Sequence, residues 1–131
     1  MRIVIDCNVF VSASLGGKDS TCGKVIRKVL VEHDILYSDC IIEEIKETAK
    51  KPKLKSARIP LLNHIKQLHT FGLKVSATSS EIFLPDPDDE EYLKVALTGG
   101  AGIIITGNKK DFPAEKCQGV KILSPREFLD S

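Results

Sequence analysis

The stretch IVIDCN, residues 3–8, decides the fold class of this chain. Ile3, Val4 and Ile5 form an uninterrupted β-branched run, and the polar residues Asp6 and Asn8 follow at once. Short apolar runs without polar alternation are typical of strands buried on both faces of a parallel sheet. Polar residues directly after such a strand lie at the carboxyl edge of the sheet, where α/β proteins form their binding sites.

Four more short apolar segments of the same kind follow along the chain, at residues 35–37, 73–75, 102–105 and 120–123. Stretches with helical periodicity separate the segments. Their expected starts are Ser20 or Thr21, Ser38, Leu61, Asp88 and Ser124-Pro125. Parallel strands need crossover connections, and helices cover both faces of such a sheet. We therefore predict a three-layer α/β/α fold, with a central, mainly parallel sheet of about five strands in a single domain over residues 1–131.

Length and charge exclude several classes of protein. The 131 residues carry 19 Lys and Arg against 18 Asp and Glu, a formal net charge of +1. The chain as a whole therefore does not attract nucleic acid or anionic membrane, and only a local patch could bind them. No apolar run approaches the roughly 20 residues that span a bilayer, and Asp6 comes too early for a signal peptide. We expect a soluble, cytoplasmic protein with no membrane partner.

The cysteines and histidines do not form a metal-binding pattern. The four cysteines are widely separated, without a C-x-x-C pair, so we predict free and mostly buried thiols. No histidine has a partner at zinc-finger spacing, so all three are expected to be structural or surface residues. The cysteines are Cys7, Cys22, Cys40 and Cys117, and the histidines are His33, His64 and His69.

Helical geometry distinguishes two neighbouring acids in the helix that follows Ser38. At 100° per residue, Ile41, Ile42 and Ile45 form its buried face. Glu44 lies at the margin of that face, whereas Glu43 points nearly opposite. Glu44 is therefore the acid able to reach a cleft beside the sheet. The alternative is that both are surface acids that keep the helix soluble.

Asp89 falls on the centreline of the apolar stripe of its helix, at the N-terminal end. A carboxylate aligned with the core needs a partner, so it is a cap, a member of an ion pair or a metal ligand. Asp86 or Asp88 is the more natural cap. Glu90 and Glu91 are expected to project away from the core.

The acids expected at one edge of the sheet would repel each other strongly. A divalent cation resolves that repulsion, and oxygen ligands select Mg²⁺ or Mn²⁺, ions that commonly serve phosphate chemistry. The side chains concerned are Asp6, Glu44, Asp89, Asn108 and Asp111. For Asp6, a simple turn or cap residue is the alternative.

The chain resembles the PIN-domain family of metal-dependent ribonucleases, in particular the small prokaryotic PIN proteins described as toxin components of toxin–antitoxin pairs. The resemblance covers nearly the whole chain in the family's order. Its pieces are the segment from Ile3 to Ala13 with Asp6-x-Asn8, Ser38 to Ile45 with Lys51-Pro52-Lys53-Leu54, Asp86-Pro87-Asp88-Asp89 with Tyr92-Leu93 and Ala96, and Ile105-Thr106-Gly107-Asn108 with Asp111-Phe112.

The resemblance implies site roles for individual residues. Asp6, Glu44 and Asp89 would be three of four acidic site residues, with Asn8 and Thr106 as polar supports. The fourth position departs from the pattern, because Asn108 stands where many relatives have aspartate. Asp111 also matches a commonly acidic family position and would compensate. Otherwise the site binds metal more weakly or is partly disabled.

The implied activity is endonucleolytic hydrolysis of phosphodiester bonds in single-stranded RNA. Asp6 and Asp89 would hold Mg²⁺ or Mn²⁺, while Glu44 completes the metal shell or orients the attacking water. Asn108 and Asp111 would join this acidic centre. The implied partners are a cognate antitoxin and a second copy of the chain. Apolar residues near Leu61, Leu62 and Ile65 could form a homodimer surface, or could belong to the core.

Basic residues near these positions could bind the RNA backbone. Lys109 and Lys110 follow Asn108 directly and are the best placed. Lys51 and Lys53 belong to a lysine-rich segment, residues 46–58, whose alternative role is a solvated helix end. Aromatic residues make up 5% of the chain and tryptophan is absent, which does not support sequence-specific recognition by stacking.

Two other functions remain open from the sequence. Residues 6–10 and 107–111 look somewhat like motifs of haloacid-dehalogenase-like phosphatases, with Asp6 as the nucleophile, although the second aspartate of that opening motif is absent. Alternatively, a PIN-like domain weakened by Asn108 would only bind RNA or a protein.

Overall fold

The computed structural model describes residues 1–77 and 82–131, and within them it contains five strands and six α-helices. The strands are β1 (Arg2–Ile5), β2 (Asp34–Tyr37), β3 (Leu73–Lys74), β4 (Ile103–Ile105) and β5 (Lys121–Leu123). The helices are α1 (Cys7–Gly16), α2 (Thr21–Glu32), α3 (Asp39–Ala49), α4 (Arg58–Phe71), α5 (Glu90–Gly99) and α6 (Pro125–Asp130). Short 3₁₀ turns occupy Pro52–Ala57, Pro87–Asp89, Lys109–Asp111 and Ala114–Lys116.

All strand pairs in the sheet are parallel, in the order β3-β2-β1-β4-β5. The central strand β1 pairs with β2 on one side and β4 on the other, so that Ile3 lies between Ile35 and Ile103. The strand order changes direction at β1. The crevice expected at such a point lies beyond the carboxyl ends of β1 and β4.

Burial of the sheet accounts for its apolar strands. Ile3, Val4 and Ile5 are at most 2% exposed, since helices pack on both faces of the sheet. Helix α5 packs against β1, β2 and β4, and helix α1 packs against α2 and α4. The predicted α/β/α fold with a five-stranded parallel sheet is confirmed.

Helix α1 was not predicted from the sequence. It buries Cys7, Val9, Phe10 and Ala13 between its neighbours, and it also exposes Leu15. A helix that is apolar on most sides has no polar face, so it lacks the periodicity that reveals amphipathic helices. The β-branched residues at its start also favour a strand locally. Packing against α2 and α4 overrides that preference.

The predicted helix ends agree with the cap geometry at most positions. The side chains of Ser20, Ser38 and Ser124 accept hydrogen bonds from backbone N–H groups in the first turns of α2, α3 and α6. Gly100 ends α5 with a left-handed φ of 71°, a conformation that glycine adopts without strain. Two starts differ from prediction. Helix α4 begins three residues early, at Arg58, and α5 begins at Glu90 after a 3₁₀ turn.

The cysteines are free thiols, as predicted, but they are less buried than expected. Cys7 and Cys117 are buried, Cys22 is half-buried and Cys40 is exposed. Each histidine contacts an aromatic ring, which agrees with structural roles: His33 lies beside Phe128, His64 beside Phe10 and His69 beside Tyr37. No helix within the described ranges is long and apolar enough to cross a membrane.

Candidate functional site

Asp6 lies at the carboxyl end of β1, directly beside the end of β4. Its carboxylate Oδ2 accepts a hydrogen bond of 2.9 Å from the Thr106 hydroxyl. Both residues are buried, with Asp6 at 5% exposure. The backbone N–H of Asp6 also donates to the Ile105 carbonyl at 2.9 Å. The two central strands therefore fix the position of this carboxylate.

Two asparagines extend this hydrogen-bonded arrangement. Asn8 donates from Nδ2 to Asp6 Oδ2 at 3.3 Å and accepts the Gly107 N–H on Oδ1 at 3.1 Å. The backbone N–H of Asn108 donates to the Thr106 hydroxyl at 3.1 Å. Asn8 and Thr106 thus lie in the supporting positions that the sequence suggested.

Asn108 binds Asp111 through its side chain. Its Nδ2 donates to Asp111 Oδ2 at 2.5 Å across the 3₁₀ turn Lys109–Asp111. Asp111 is close enough to Asp89 to raise the pKa of Asp89. The turn therefore holds the Asp111 carboxylate beside the side chain of Asn108.

Glu44 lies on α3 and is half-buried, whereas Glu43 is exposed and pairs with Lys46 at 3.5 Å. The predicted difference between the two acids is therefore confirmed. The hydroxyl of Tyr92, from α5, donates to Glu44 Oε1. Burial raises the pKa of Glu44, against the opposing effect of the Tyr92 hydrogen bond.

Asp89 ends the 3₁₀ turn that precedes α5 and is half-buried. Its Oδ2 is buried and accepts no hydrogen bond from any residue that the structure describes. Burial first, and then the charge of Asp6, raise the pKa of Asp89 to about 7. Asp111, Asp86 and Glu44 add to the repulsion. An unpartnered buried carboxylate oxygen is costly unless a cation or a proton compensates it.

The pKa of Asp6 is also raised, but by less than that of Asp89. Burial raises its pKa to about 6, although the Thr106 hydrogen bond lowers it. Glu44 also raises the pKa of Asp6. The charge of Glu44 thus acts on Asp6, and the charges of Asp6, Glu44 and Asp111 act on Asp89.

The carboxylates do not form a closed metal cage. Across residues 1–77 and 82–131, no three His, Cys, Asp or Glu side chains lie close enough together to hold one ion. The expected shell of Asp6, Glu44 and Asp89 is therefore not assembled in this arrangement. Mg²⁺ does not require one, since it is commonly bound by one or two carboxylates and keeps several waters. The unpartnered Asp89 Oδ2 and the purely oxygen donor set fit such an ion.

Glu90 and Glu91 do not project away, contrary to expectation. Glu90 accepts the Leu84 N–H at 3.1 Å, and Glu91 accepts the Ser38 hydroxyl at 2.7 Å. Both are half-buried. Their partners come from other segments, so the helical periodicity of residues 88–98 could not reveal them.

The predicted basic residues occupy different environments. Lys109 is bound to Glu127 at 2.8 Å, whereas Lys110, Lys51 and Lys53 are exposed and have no ion pair with any described acid. Lys51 is near enough to Glu44 to lower the pKa of that acid. Other residues of the lysine-rich segment have structural partners: Lys46 and Lys50 pair with acids one turn away, and Arg58 donates to the Ala49 carbonyl.

An acidic cleft of about 530 Å³ is lined in part by Glu44 and Tyr92. Helix α3 and the start of α5 form it, and one lysine, Lys94, is among its lining residues. The acids that line the cleft are Glu43, Glu44, Glu47, Asp88, Glu90 and Glu91. Six carboxylates and one lysine make this cleft unfavourable for an anion.

Three hydrogen bonds of two residues near the candidate site were missed from the sequence. Tyr92 was assigned only to the apolar stripe of α5, yet its hydroxyl reaches Glu44 and also accepts the Cys7 N–H at 3.2 Å. Ser38 was recognised as a helix cap but not as a donor to Glu91. None of these three hydrogen bonds leaves a local signal in the sequence, since the partners are 48 to 85 residues apart.

Comparisons with known proteins agree with this fold. Residues 2–110 match a family model described as a PIN domain. No curated protein matches the chain in sequence. Among solved structures, a chain of VapBC2 from Rickettsia felis, in a crystal structure bound to a DNA fragment from its promoter, has a TM-score of 0.67 at 12% identity. That match covers 95% of this chain and 98% of the other. A chain of VapBC-1 from nontypeable Haemophilus influenzae has a TM-score of 0.62 at 13% identity, with coverages of 96% and 99%.

The solved structures are too distant in sequence to show more than a shared fold. The family match is more specific, because it extends over most of the chain and includes the segments that carry Asp6, Glu44, Asp89 and Asn108. The chain therefore belongs to the PIN-domain family of nucleases.

Proposed function

We propose that the protein is a metal-dependent endoribonuclease that hydrolyses phosphodiester bonds of single-stranded RNA in the cytoplasm, as the toxin of a toxin–antitoxin pair. The observation that carries the proposal is the buried, unpartnered Oδ2 of Asp89 beside Asp6. Such an oxygen, in the turn before α5 and within range of the Asp6 charge, fits a divalent cation better than a structural role.

Asp6 and Asp89 would hold Mg²⁺ or Mn²⁺, with Glu44, Asn108 and Asp111 around them. The bound ion supplies a Lewis acid for the phosphate and neutralises the developing negative charge. The hydrogen bonds of Asp6 to Thr106 and Asn8 keep its carboxylate oriented toward this position. Asp111, held by Asn108, would replace the missing fourth acid.

Glu44 is the residue proposed to orient the attacking water. Tyr92 occupies its Oε1, so Oε2 remains available to accept a hydrogen bond from that water. The raised pKa of Glu44 makes the carboxylate a better proton acceptor than an exposed glutamate. No described side chain is needed as a covalent nucleophile, which separates this proposal from the phosphatase with Asp6 as nucleophile.

The RNA backbone would contact Lys51, Lys53 and Lys110, which are exposed and unpaired with described acids. Lys109 would contribute less, because Glu127 already binds it at 2.8 Å. Each phosphate contact to a single strand contributes about 0.7 to the slope of log affinity against log salt. Replacing Lys110 by alanine should reduce that slope by this amount, and replacing Lys109 should reduce it less.

A cognate antitoxin is the proposed protein partner, since both similar solved structures are VapBC complexes. A groove of about 480 Å³ between α1, α2 and α4 is the proposed contact surface for it, with exposed Val31 and Ile59 nearby. Fewer of the residues expected at a homodimer surface are exposed than the sequence suggested. Leu61 and Ile65 are buried in the core, and Leu62 alone of the three is exposed.

The proposal is tested by cleavage of an unstructured RNA with Mn²⁺. Asp6→Asn and Asp89→Asn should each reduce the rate by at least about 100-fold, because charge stabilisation at the phosphate is lost. Asp39→Asn is the matched control, since Asp39 is exposed and pairs with Lys74 on the surface. Its rate should equal that of wild type. A DNA strand of the same sequence tests the preference for RNA.

Two outcomes would contradict the proposal. Equal cleavage by wild type, Asp6→Asn and Asp89→Asn would mean that a contaminating nuclease produces the activity. RNA binding by the wild type without any cleavage would instead identify a binding module, as expected if Asn108 has disabled the site.

A further inference from the structure

Tyr92 connects three parts of the site through one hydroxyl group. The residue lies on α5, is 1% exposed and reaches across to α3 and to the start of α1. Its Oη donates to Glu44 Oε1 and accepts the Cys7 N–H at 3.2 Å. Both hydrogen-bonding functions of the hydroxyl are therefore used.

Glu44 has no other donor to its carboxylate within the described residues. On the same helix, Thr48 contacts Cys7 through a 3.8 Å Sγ–Oγ1 hydrogen bond. Cys7 thus contacts α3 one turn after Glu44, while its N–H contacts the hydroxyl that binds Glu44. The backbone of α3 is fixed by packing and by the Cys7 contact, but the direction of the Glu44 side chain depends on Tyr92.

A buried tyrosine hydroxyl is not needed to fill this space. A phenylalanine would fill the same apolar stripe on α5, where Leu93, Val95 and Ala96 are also buried. The buried hydroxyl contributes to the stability of the protein only through the hydrogen bonds with its two partners. The two hydrogen bonds, and not the packing of the core, therefore explain why a tyrosine stands at this position.

We infer that Tyr92 is a positioning residue that holds the Glu44 carboxylate in one orientation between α3, α5 and the start of α1, at the edge of the acidic cleft that both side chains line. The inference rests on the proposed function for its consequence in catalysis. Groups that orient site carboxylates in this way typically change metal affinity or activity by about 10- to 100-fold when they are removed.

The first test measures the direction of Glu44 without metal or RNA. Carbodiimide-driven labelling of carboxylates, read by mass spectrometry in EDTA, compares Glu44 with the exposed Glu43 as an internal reference. In Tyr92→Phe the ratio of Glu44 to Glu43 labelling should rise by about tenfold, the order expected when a hydrogen bond to a charged group is lost. Tyr37→Phe is the matched control, since Tyr37 is also buried but contacts the ring of His69. Its ratio should equal that of wild type.

The second test measures the effect of Tyr92 on the kinetics of RNA cleavage. With Mn²⁺ and single-stranded RNA, Tyr92→Phe should lower kcat by about 10- to 100-fold with little change in KM, whereas Tyr37→Phe should leave both unchanged. In a Glu44→Gln background, Tyr92→Phe should have no further effect, because both changes remove the same oriented carboxylate. Glu44→Asp, which shortens the side chain and leaves Tyr92 intact, should reproduce the loss of kcat.

The outcomes separate the inference from the proposed function. Unchanged labelling of Glu44 in Tyr92→Phe overturns the inference whether or not the protein cleaves RNA. Additive losses in the double variant also overturn it. If labelling rises as expected and the wild type cleaves no RNA, the positioning of Glu44 by Tyr92 stands and the ribonuclease function fails.

Discussion

The two aspartates at the centre of the site differ in how their charge is compensated. Asp6, on the central strand, accepts hydrogen bonds from Thr106 and Asn8. Asp89, before α5, has a buried Oδ2 without a described donor. Burial raises the pKa of both, to about 6 for Asp6 and about 7 for Asp89.

The sheet and the turn before α5 therefore supply two different kinds of carboxylate. The strands provide a carboxylate whose orientation is fixed by the protein itself. The turn before α5 provides a carboxylate whose buried oxygen has no described donor, so that a proton or a cation must compensate its charge. A site built this way is poised to gain stability when a cation binds.

The largest expected effect is a decline in stability with rising pH in metal-free protein. Because the folded-state pKa values of Asp6 and Asp89 lie above the unfolded value of 3.8, the stabilising protonated forms are lost as the pH rises to about 6 and about 7. Asp6 alone corresponds to about 3 kcal/mol, and the half-exposed Asp89 to less because solvent screens it. Urea unfolding in EDTA at several pH values between 4 and 8 measures the decline.

Asp89→Asn is the control for this dependence. The decline in the free energy of unfolding of this variant should end near pH 6 rather than pH 7, since only the Asp6 titration remains. Mn²⁺ should raise the stability of the wild type above pH 7 and leave Asp89→Asn nearly unchanged. A stability that increases from pH 4 to pH 7 in EDTA would contradict the comparison.

A smaller effect is expected from Thr106→Val, which keeps the shape of the buried side chain. The change removes the donor to Asp6 and the acceptor of the Asn108 N–H. The free energy of unfolding should fall by about 2 kcal/mol, the cost of leaving buried polar groups unpaired. Thr70→Val, on the exposed surface of α4, should change it by less than about 0.5 kcal/mol. Equal effects of the two changes would show that Thr106 does not stabilise Asp6.

The smallest effect is expected from Asn108→Asp, which restores the acid that many relatives carry. It replaces the hydrogen bond to Asp111 by a repulsive pair and should lower the metal-free unfolding free energy by about 1 kcal/mol. Titration calorimetry with Mn²⁺ should show tighter binding, because the site gains a charged ligand. Unchanged binding would mean that Asp111, held by Asn108, already replaces the fourth acid, and weaker binding would contradict a metal-binding role for position 108.

Local patterns in the sequence were sufficient for much of the fold. The apolar runs predicted all five strands, and the serine caps at residues 20, 38 and 124 marked three helices. The periodicity of α3 correctly separated Glu44 from Glu43. These features follow from the geometry of single elements, which depends on neighbouring residues alone.

Other features depended on contacts that no local pattern records. Helix α1 forms because it is packed between α2 and α4. Lys109 and Lys110 were predicted together as the best-placed RNA contacts, and Glu127, 18 residues after Lys109, binds Lys109. The Tyr92 hydroxyl reaches Glu44 and Cys7 only because α5, α3 and α1 meet at the same edge of the sheet.

The sequence by itself determined the layers, the strands and the identity of the acids at the carboxyl edge, because burial periodicity and strand ends are local properties. Only the tertiary structure decided which acid is hydrogen-bonded and which has a buried oxygen without a described donor. Asp6 meets Thr106 across 100 residues of chain, and Asp89 meets no described donor. The partners of a buried charge are set by where elements pack, and packing is a property of the whole fold.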